Sequence, residues 1–527
     1  MSGHDPAALA EWQRIRRYAV PERMITEGAA ARADGDWRRA CAAGDVDVLI
    51  DDAGPVRHLL AGFAPDLLRW HIPRALGGYT AIAVDTRYVL VPGDGTVGPA
   101  DPALVVDSPA SLFGSQRLTL RAVPWEDLAD EMVIPVPAHL WDARHATGLR
   151  TALGGSAERM PGFAPDGTPL PDDALGIGDD PPARTERVHR RDTLAAAFTE
   201  AGAEILGEWT DRDLAPVLDP ARVIRLAREL TARIGTGEWA LWIDHHICLH
   251  IVVDDSTVWV EWKTLNWSDR DSPLRDLHRI DTALTRRAVD LDLIRAGRLT
   301  AGQLHPLVRA ALFPGVPASG PSDPVSPEPV RVRCHGRWHE IGVDRGRLAL
   351  TAHTEEERRR ERAMRAFGGA VTGCFAVEQT WSGTAGRLPE RLRAHREDLW
   401  QRMLHGGTRA VLELLDDGMD PHLRDSRGRT LMHRLRSYDH RVLFPRLLAA
   451  GLDIGARDLE GSTPLFLAVV YQAPADLIIA LVDAGADPHA PNQDGMSVVD
   501  YLDDVLDYRE DLDPDFATAV AHIRERA

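Results

Sequence analysis

The chain has 527 residues, 44% of them hydrophobic and 27% charged, with a formal net charge of -19 at pH 7. That composition excludes a disordered chain, and the length implies about three to five folded units. The excess of acid opposes attraction to nucleic acid or to an anionic membrane, which reward clustered Lys and Arg, so neither is an expected partner.

The opening "MSGHDPAALAEWQRIRR" has no apolar stretch of signal-peptide type, and no run approaches the roughly 18 apolar residues of a membrane helix. A cytoplasmic location is expected. Of 61 basic residues only Lys263 is lysine, which with the abundance of Ala, Gly and Pro suggests a bacterial genome of high GC content. Cys41, Cys248, Cys334 and Cys374 lie far apart without C-x-x-C spacing, and read as reduced, buried thiols with no zinc-finger pattern.

Taken in order, residues 1–153 read as a helical and then α+β domain. "PAALAEWQRIRRYAV" and "APDLLRWHIPRALGG" carry helical spacing, and from Tyr79 "TAIAVDTRYVLVP", "ALVVDSP" and "RLTLRAV" alternate as strands do. Residues 154–183, rich in Gly, Pro and Asp with no period, read as a flexible linker or loop. Residues 184–313 form a second α+β domain with a Trp-rich hairpin. Asp219-Pro220 opens a helix over "ARVIRLARELTARI", which Gly235 closes. A Pro-rich linker is expected at 314–329, then a β-meander plus helices at 330–394. His335-Gly336 and Arg345-Gly346 suit its turns, and Thr354 with Glu357 suits a capping box.

In the second domain "WIDHHICLHIVV", read as one strand, places Asp244, His246, Cys248 and His250 on one face. A two-residue loop at Asp254-Asp255 would set His250 against Trp259, Cys248 against Glu261 and His246 against Lys263. A metal site is limited to combinations of Cys248, His250 and Glu261, because His246 and His250 stand about 13 Å apart on a regular strand. Glu261-Trp262-Lys263 resembles the E-x-K end of the PD-(D/E)-x-K nucleases, although the upstream P-D pair is missing. That resemblance implies carboxylates that hold Mg²⁺ and a lysine that steadies the attacking water, with Asp244 or Asp254 as the further acid. The plain reading is the outer face of a two-sided sheet, and the tryptophans Trp239, Trp242, Trp259, Trp262 and Trp267 read as core.

Self-similarity marks residues 395–527. Gly428-Arg-Thr430, Gly461-Ser-Thr463 and Gly495-Met-Ser497 repeat a glycine and a hydroxyl residue, and their glycines are 33 and 34 residues apart. Gly418, Gly451 and Gly485 repeat in a second register at the same intervals. The hydroxyls suit helix N-caps, Pro464 the first helical position, and the second set of glycines left-handed helix ends. With "GSTPLFLA" and "LVDAGADPHAPNQDG", this segment resembles the ankyrin repeat. The resemblance implies a C-terminal α-solenoid of about four helix-turn-helix units that binds a protein partner, with Arg424, Arg427, Arg434, Asp458, Glu460 and Gln493 as candidate contact residues.

The fold class expected is therefore multidomain α+β followed by an ankyrin-like array, and the function that of a scaffold or adaptor. The alternatives are a metal-dependent nuclease or other hydrolase centred on residues 244–263, and a self-associating structural protein whose acidic last repeat meets an arginine-rich surface. No metal or other cofactor is expected.

Overall fold

The computed structural model describes all residues except 1–3, 78, 113, 129–131, 210–217, 266–271, 320–327, 368–370, 384–385 and 509–512. The chain parts into two compact units, Met1–Leu112 with Arg117–Ser322, and Phe113–Gln116 with Asp323–Ala527. Each mixes helix and sheet. Among the described residues no helix is long and apolar enough to cross a membrane.

The first unit holds two five-stranded sheets. Strands β1 (Val46–Leu49), β2 (Arg87–Leu90), β3 (Pro102–Asp107), β4 (Leu118–Pro124) and β5 (Val133–Val136) stand in the order β1-β4-β3-β2-β5. The central three form an antiparallel meander, and the outer two lie parallel to their neighbours. Strands β6 (Glu204–Leu206), β7 (Glu238–Trp242), β8 (Ile247–Val253), β9 (Val258–Thr264) and β10 (His278–Arg279) repeat that plan as β6-β9-β8-β7-β10. Again the meander is antiparallel and its flanks parallel. One topology is thus used twice. A parallel flank needs a crossover, and the helices Pro65–His71 and Pro220–Ile234 lie in the two crossover segments. The second has the expected ends: Asp219 accepts from the Arg222 N–H, and Gly235 closes it with φ 83°.

Both sheets contribute to one hydrophobic core, with Leu90, Leu104 and Leu120 from the first and Leu241, Leu249 and Val260 from the second. Boundaries near 153 and 184 therefore fall inside a single unit. The stretch 154–183, expected to be flexible, is packed: Met160 and Phe163 are buried. The buried Glu186 carboxylate accepts from the backbone N–H groups of Gly162 and Gly176, each at 2.7 Å, and from Arg159 at 2.6 Å. Arg295 donates to the carbonyls of Gly162 and Leu170 at 2.8 and 2.9 Å. Backbone groups without a regular ladder still require partners, and charged side chains distant in sequence supply them. Much of the expected linker 314–329, residues 320–327, lies outside the described residues, as does Trp267.

In the second unit β11 (Val330–Cys334), β12 (Arg337–Asp344) and β13 (Arg347–Ala349) make an antiparallel meander. Its turns fall at His335-Gly336 and Arg345-Gly346, all four residues having positive φ as a tight two-residue turn requires. Helices Glu355–Ala366, Gly373–Ser382 and Glu390–Asp416 follow, the last broken at Gly407. Three helix pairs complete the unit: Leu431–Ser437 with His440–Ala449, Pro464–Val470 with Ala475–Asp483, and Val498–Tyr508 with Pro514–Arg526. Leu431–Ser437 winds as a tighter 3₁₀ helix. Leu414, Leu447, Leu465, Leu481 and Ile523 join Cys334 and Ile341 in one core, and a boundary at 394/395 runs through the helix Glu390–Asp416.

Candidate functional site

Ahead of each helix pair, a turn of one construction recurs, three times in all among the described residues. Asp425, Asp458 and Asn492 each fold a turn by accepting two backbone N–H groups, two and four residues ahead, at 2.8–3.0 Å. A short side chain that satisfies its own backbone is the cheapest way to hold a turn without a strand ladder. The turns then pair with one another: the Leu459 N–H donates to the Arg427 carbonyl at 2.9 Å and the Gln493 N–H to the Glu460 carbonyl at 3.0 Å. Gly461, with φ 75°, sits where a Cβ would come within 2.9 Å of the Gln493 nitrogen, so this close stacking requires glycine.

The six residues singled out for partner contact divide into two groups. Arg427, Glu460 and Gln493 are exposed on the turns, and the neighbouring Leu459 is 44% exposed. The other three face inward. Arg424 is partly buried and spans two turns, donating to the carbonyls of Gly428 and Arg457 at 2.5 and 2.8 Å. Arg434 pairs with Asp425 at 2.7 Å. Asp458 is buried and takes the Arg429 guanidinium at 3.1 Å. Sequence alone does not separate these groups, because all six are polar and stand within six residues of a repeat glycine. Leu459, being apolar, gives no sign in the sequence that it stands outward on the turn.

The expected helix caps are present. The Thr463 hydroxyl accepts from the Phe466 N–H at 3.2 Å, and the Ser497 hydroxyl from the Asp500 N–H at 3.2 Å. Thr430 forms a capping box with His433. The ring Nδ1 accepts from the Thr430 N–H at 3.1 Å, and Nε2 donates to the Ser462 carbonyl at 3.2 Å. Burial first, against the opposing hydrogen bond that the ring donates to the Ser462 carbonyl, pushes this imidazole down to about 4.

The stretch 242–253 is not one strand. β7 ends at Trp242 and β8 begins at Ile247, because the Asp244 carboxylate accepts from the N–H groups of His246 and Ile247, at 2.7 and 2.8 Å, and closes a hairpin. The next loop is also longer than expected. Asp254 accepts from Ser256 and Thr257, so four residues turn the chain and Val253 faces Val258 instead of Ser256. The ladder moves by two, which keeps the faces and changes the partners: His250 faces Glu261 and Cys248 faces Lys263.

Asp244 and Asp254 are thus held in turns at opposite ends of the seven-residue β8, roughly 20 Å apart. Lys263 pairs with Glu261 at 2.5 Å, and His250 reaches Glu238 at 3.3 Å and Glu261 at 3.9 Å. Cys248 is fully buried, and burial raises its thiol to about 12. Among the described residues no third metal-ligating atom joins Cys248, His250 or Glu261. The arrangement is a charge-paired sheet face.

A different set of ligand-type side chains does converge. Cys334, His339, His353 and Cys374 place one donor atom each within 4.8 Å of one another. Their wide spacing conceals them in the sequence, where two of the four cysteines read as isolated thiols.

Over 99 residues the chain is 36% identical to an ankyrin repeat-containing protein of Schizosaccharomyces pombe. Part of this chain is similar to ankyrin repeats. The similarity covers 19% of the chain and 46% of the yeast protein, so the chain spans less than half of that ankyrin protein's length. No family model matches the chain.

Proposed function

We propose that this protein is a scaffold or adaptor that binds another protein through a C-terminal ankyrin-like array of about four units, spanning residues 395–527, and that it works in the cytoplasm. The observation that carries this reading is the row of stacked turns, locked to one another through backbone hydrogen bonds, with Arg427, Leu459, Glu460 and Gln493 left outward. Such a row is rigid before any partner arrives, so little ordering entropy is lost on binding. Its side chains mix one apolar anchor with polar groups of both signs and neutral amide, which suits a folded protein surface better than a uniform polyanion.

Affinity capture from the native host tests this with the full chain and the triple variant R427A/L459D/Q493A. A partner retained by the first and lost by the second, with unchanged melting, supports the reading. Equal capture by both removes the turn row as the contact surface.

A further inference from the structure

Cys334 ends β11, and His339 lies five residues on, in β12 across the His335-Gly336 turn. His353 follows β13, just before the helix Glu355–Ala366, and Cys374 stands in the first turn of the helix Gly373–Ser382. Four separate stretches of chain thus meet at one point. His339 Nδ1 lies 2.9 Å from His353 Nε2 and 3.6 Å from the Cys374 sulfur. Both cysteines are 1% exposed. Gly373 makes the approach work: its φ is 62°, and a Cβ there would come within 2.7–2.8 Å of the Cys334 side chain and Cα.

We propose that Cys334, His339, His353 and Cys374 bind a structural zinc ion. Two thiolates and two imidazoles are the donor set that tetrahedral Zn²⁺ favours over Mg²⁺ or Ca²⁺. With Zn–S near 2.3 Å and Zn–N near 2.0–2.1 Å, the edges of such a tetrahedron are about 3.3–3.8 Å. The four donor atoms all lie within 4.8 Å of one another, so binding the ion requires the widest pairs to close by about an ångström and the two imidazole nitrogens, 2.9 Å apart, to separate slightly around it.

Charge and surroundings agree. Two thiolates neutralise the dication, so the closed site can be buried without net charge. His353 turns its other nitrogen, Nδ1, toward the Glu357 carboxylate at 3.7 Å, the kind of outer partner that orients a ligating imidazole. Glu357 is itself fixed by the Thr354 capping box. Four protein ligands leave no open position for substrate, which makes the ion a staple and not a catalyst. It ties the three-stranded meander to the helix Gly373–Ser382 where the meander alone buries few large side chains, chiefly Ile341, Val343 and Leu350.

The test is metal analysis of the full chain purified without chelator, followed by exchange into Co²⁺. The proposal expects about one zinc per chain and, with cobalt, the intense visible bands and thiolate charge-transfer absorption of a tetrahedral site. C374S should lose the metal, whereas C248S, altered at a buried thiol far from the cluster in sequence, should keep it. Should C374S fail to fold, the wild-type stoichiometry, cobalt spectrum and thiol count still decide. A metal-free wild-type chain, an octahedral cobalt spectrum, bound iron in place of zinc, or a Cys334–Cys374 disulfide would each overturn the proposal.

Discussion

His433 donates from Nε2 to the carbonyl of Ser462, 29 residues further on and at the start of the next helix pair, across 3.2 Å. Its other nitrogen accepts from the Thr430 N–H, so the ring joins two successive units only while it is neutral. Protonation would place a second N–H against an N–H. The folded value near 4 lies below the ordinary 6.5, and the unfolded chain binds more protons between those limits. Stability from this group is therefore full above about pH 6.5 and is lost as pH falls toward 4, by about 3 kcal/mol in all. Hydrogen exchange across Leu431–Ser437, corrected for its intrinsic pH dependence, should show the advantage of wild type over H433Q shrinking from pH 7.5 to pH 4.5. A constant gap would contradict it.

Asp458 and Glu460 are two residues apart and should behave oppositely. Asp458 holds the buried Arg429 and two backbone N–H groups. D458A removes the nearer carboxylate of the buried Arg429, leaving only the exposed Glu460 at 3.6 Å, and should cost about 3 kcal/mol in denaturant unfolding of the second unit. E460A removes only a 3.6 Å contact to Arg429 from an exposed carboxylate and should cost less than about 1 kcal/mol.

Glu186 supplies the acceptors that fix residues 154–183. E186A removes the partner of two backbone N–H groups and of Arg159, and limited proteolysis should then cut between Gly154 and Asp180 at least tenfold faster than in wild type, an increase corresponding to about 1.4 kcal/mol or more of local destabilisation. An unchanged cleavage pattern would show that Phe163 and its neighbours hold this stretch without the carboxylate.

Lys263 should be nearly silent. Its side chain is 38% exposed and its ion pair with Glu261 lies at the surface, so K263A should change stability by less than about 1 kcal/mol. Partner capture should survive it unchanged, whereas loss of capture would place function on the β8–β9 face.

What the sequence conveyed well was local and periodic. The Asp219 cap, the Gly235 stop, the His335-Gly336 turn and the Thr354 box each depend on residues a few positions apart, and each is found as expected. Errors arose where one short side chain outweighed a pattern. Asp244 breaks an alternating apolar run into a hairpin, and Asp254 lengthens the next loop by capturing two N–H groups. Long-range pairing was illegible in the same physical sense. Nothing near Glu186 in sequence shows that Gly162 and Gly176 will come to it, and nothing near Cys334 shows that Cys374 will. The two sheets share a topology without any repeat visible in the residues, because a meander constrains hydrogen bonding and burial and not side-chain identity.

On the proposed function the stacked turns meet a protein partner. Hydrogen–deuterium exchange on the full chain, with and without the captured partner, tests it most directly. The account expects new protection centred on residues 426–428, 459–461 and 493–495, with little change across β8 and β9. Protection confined to residues 238–264, with the three turns exchanging as in the free chain, would contradict it.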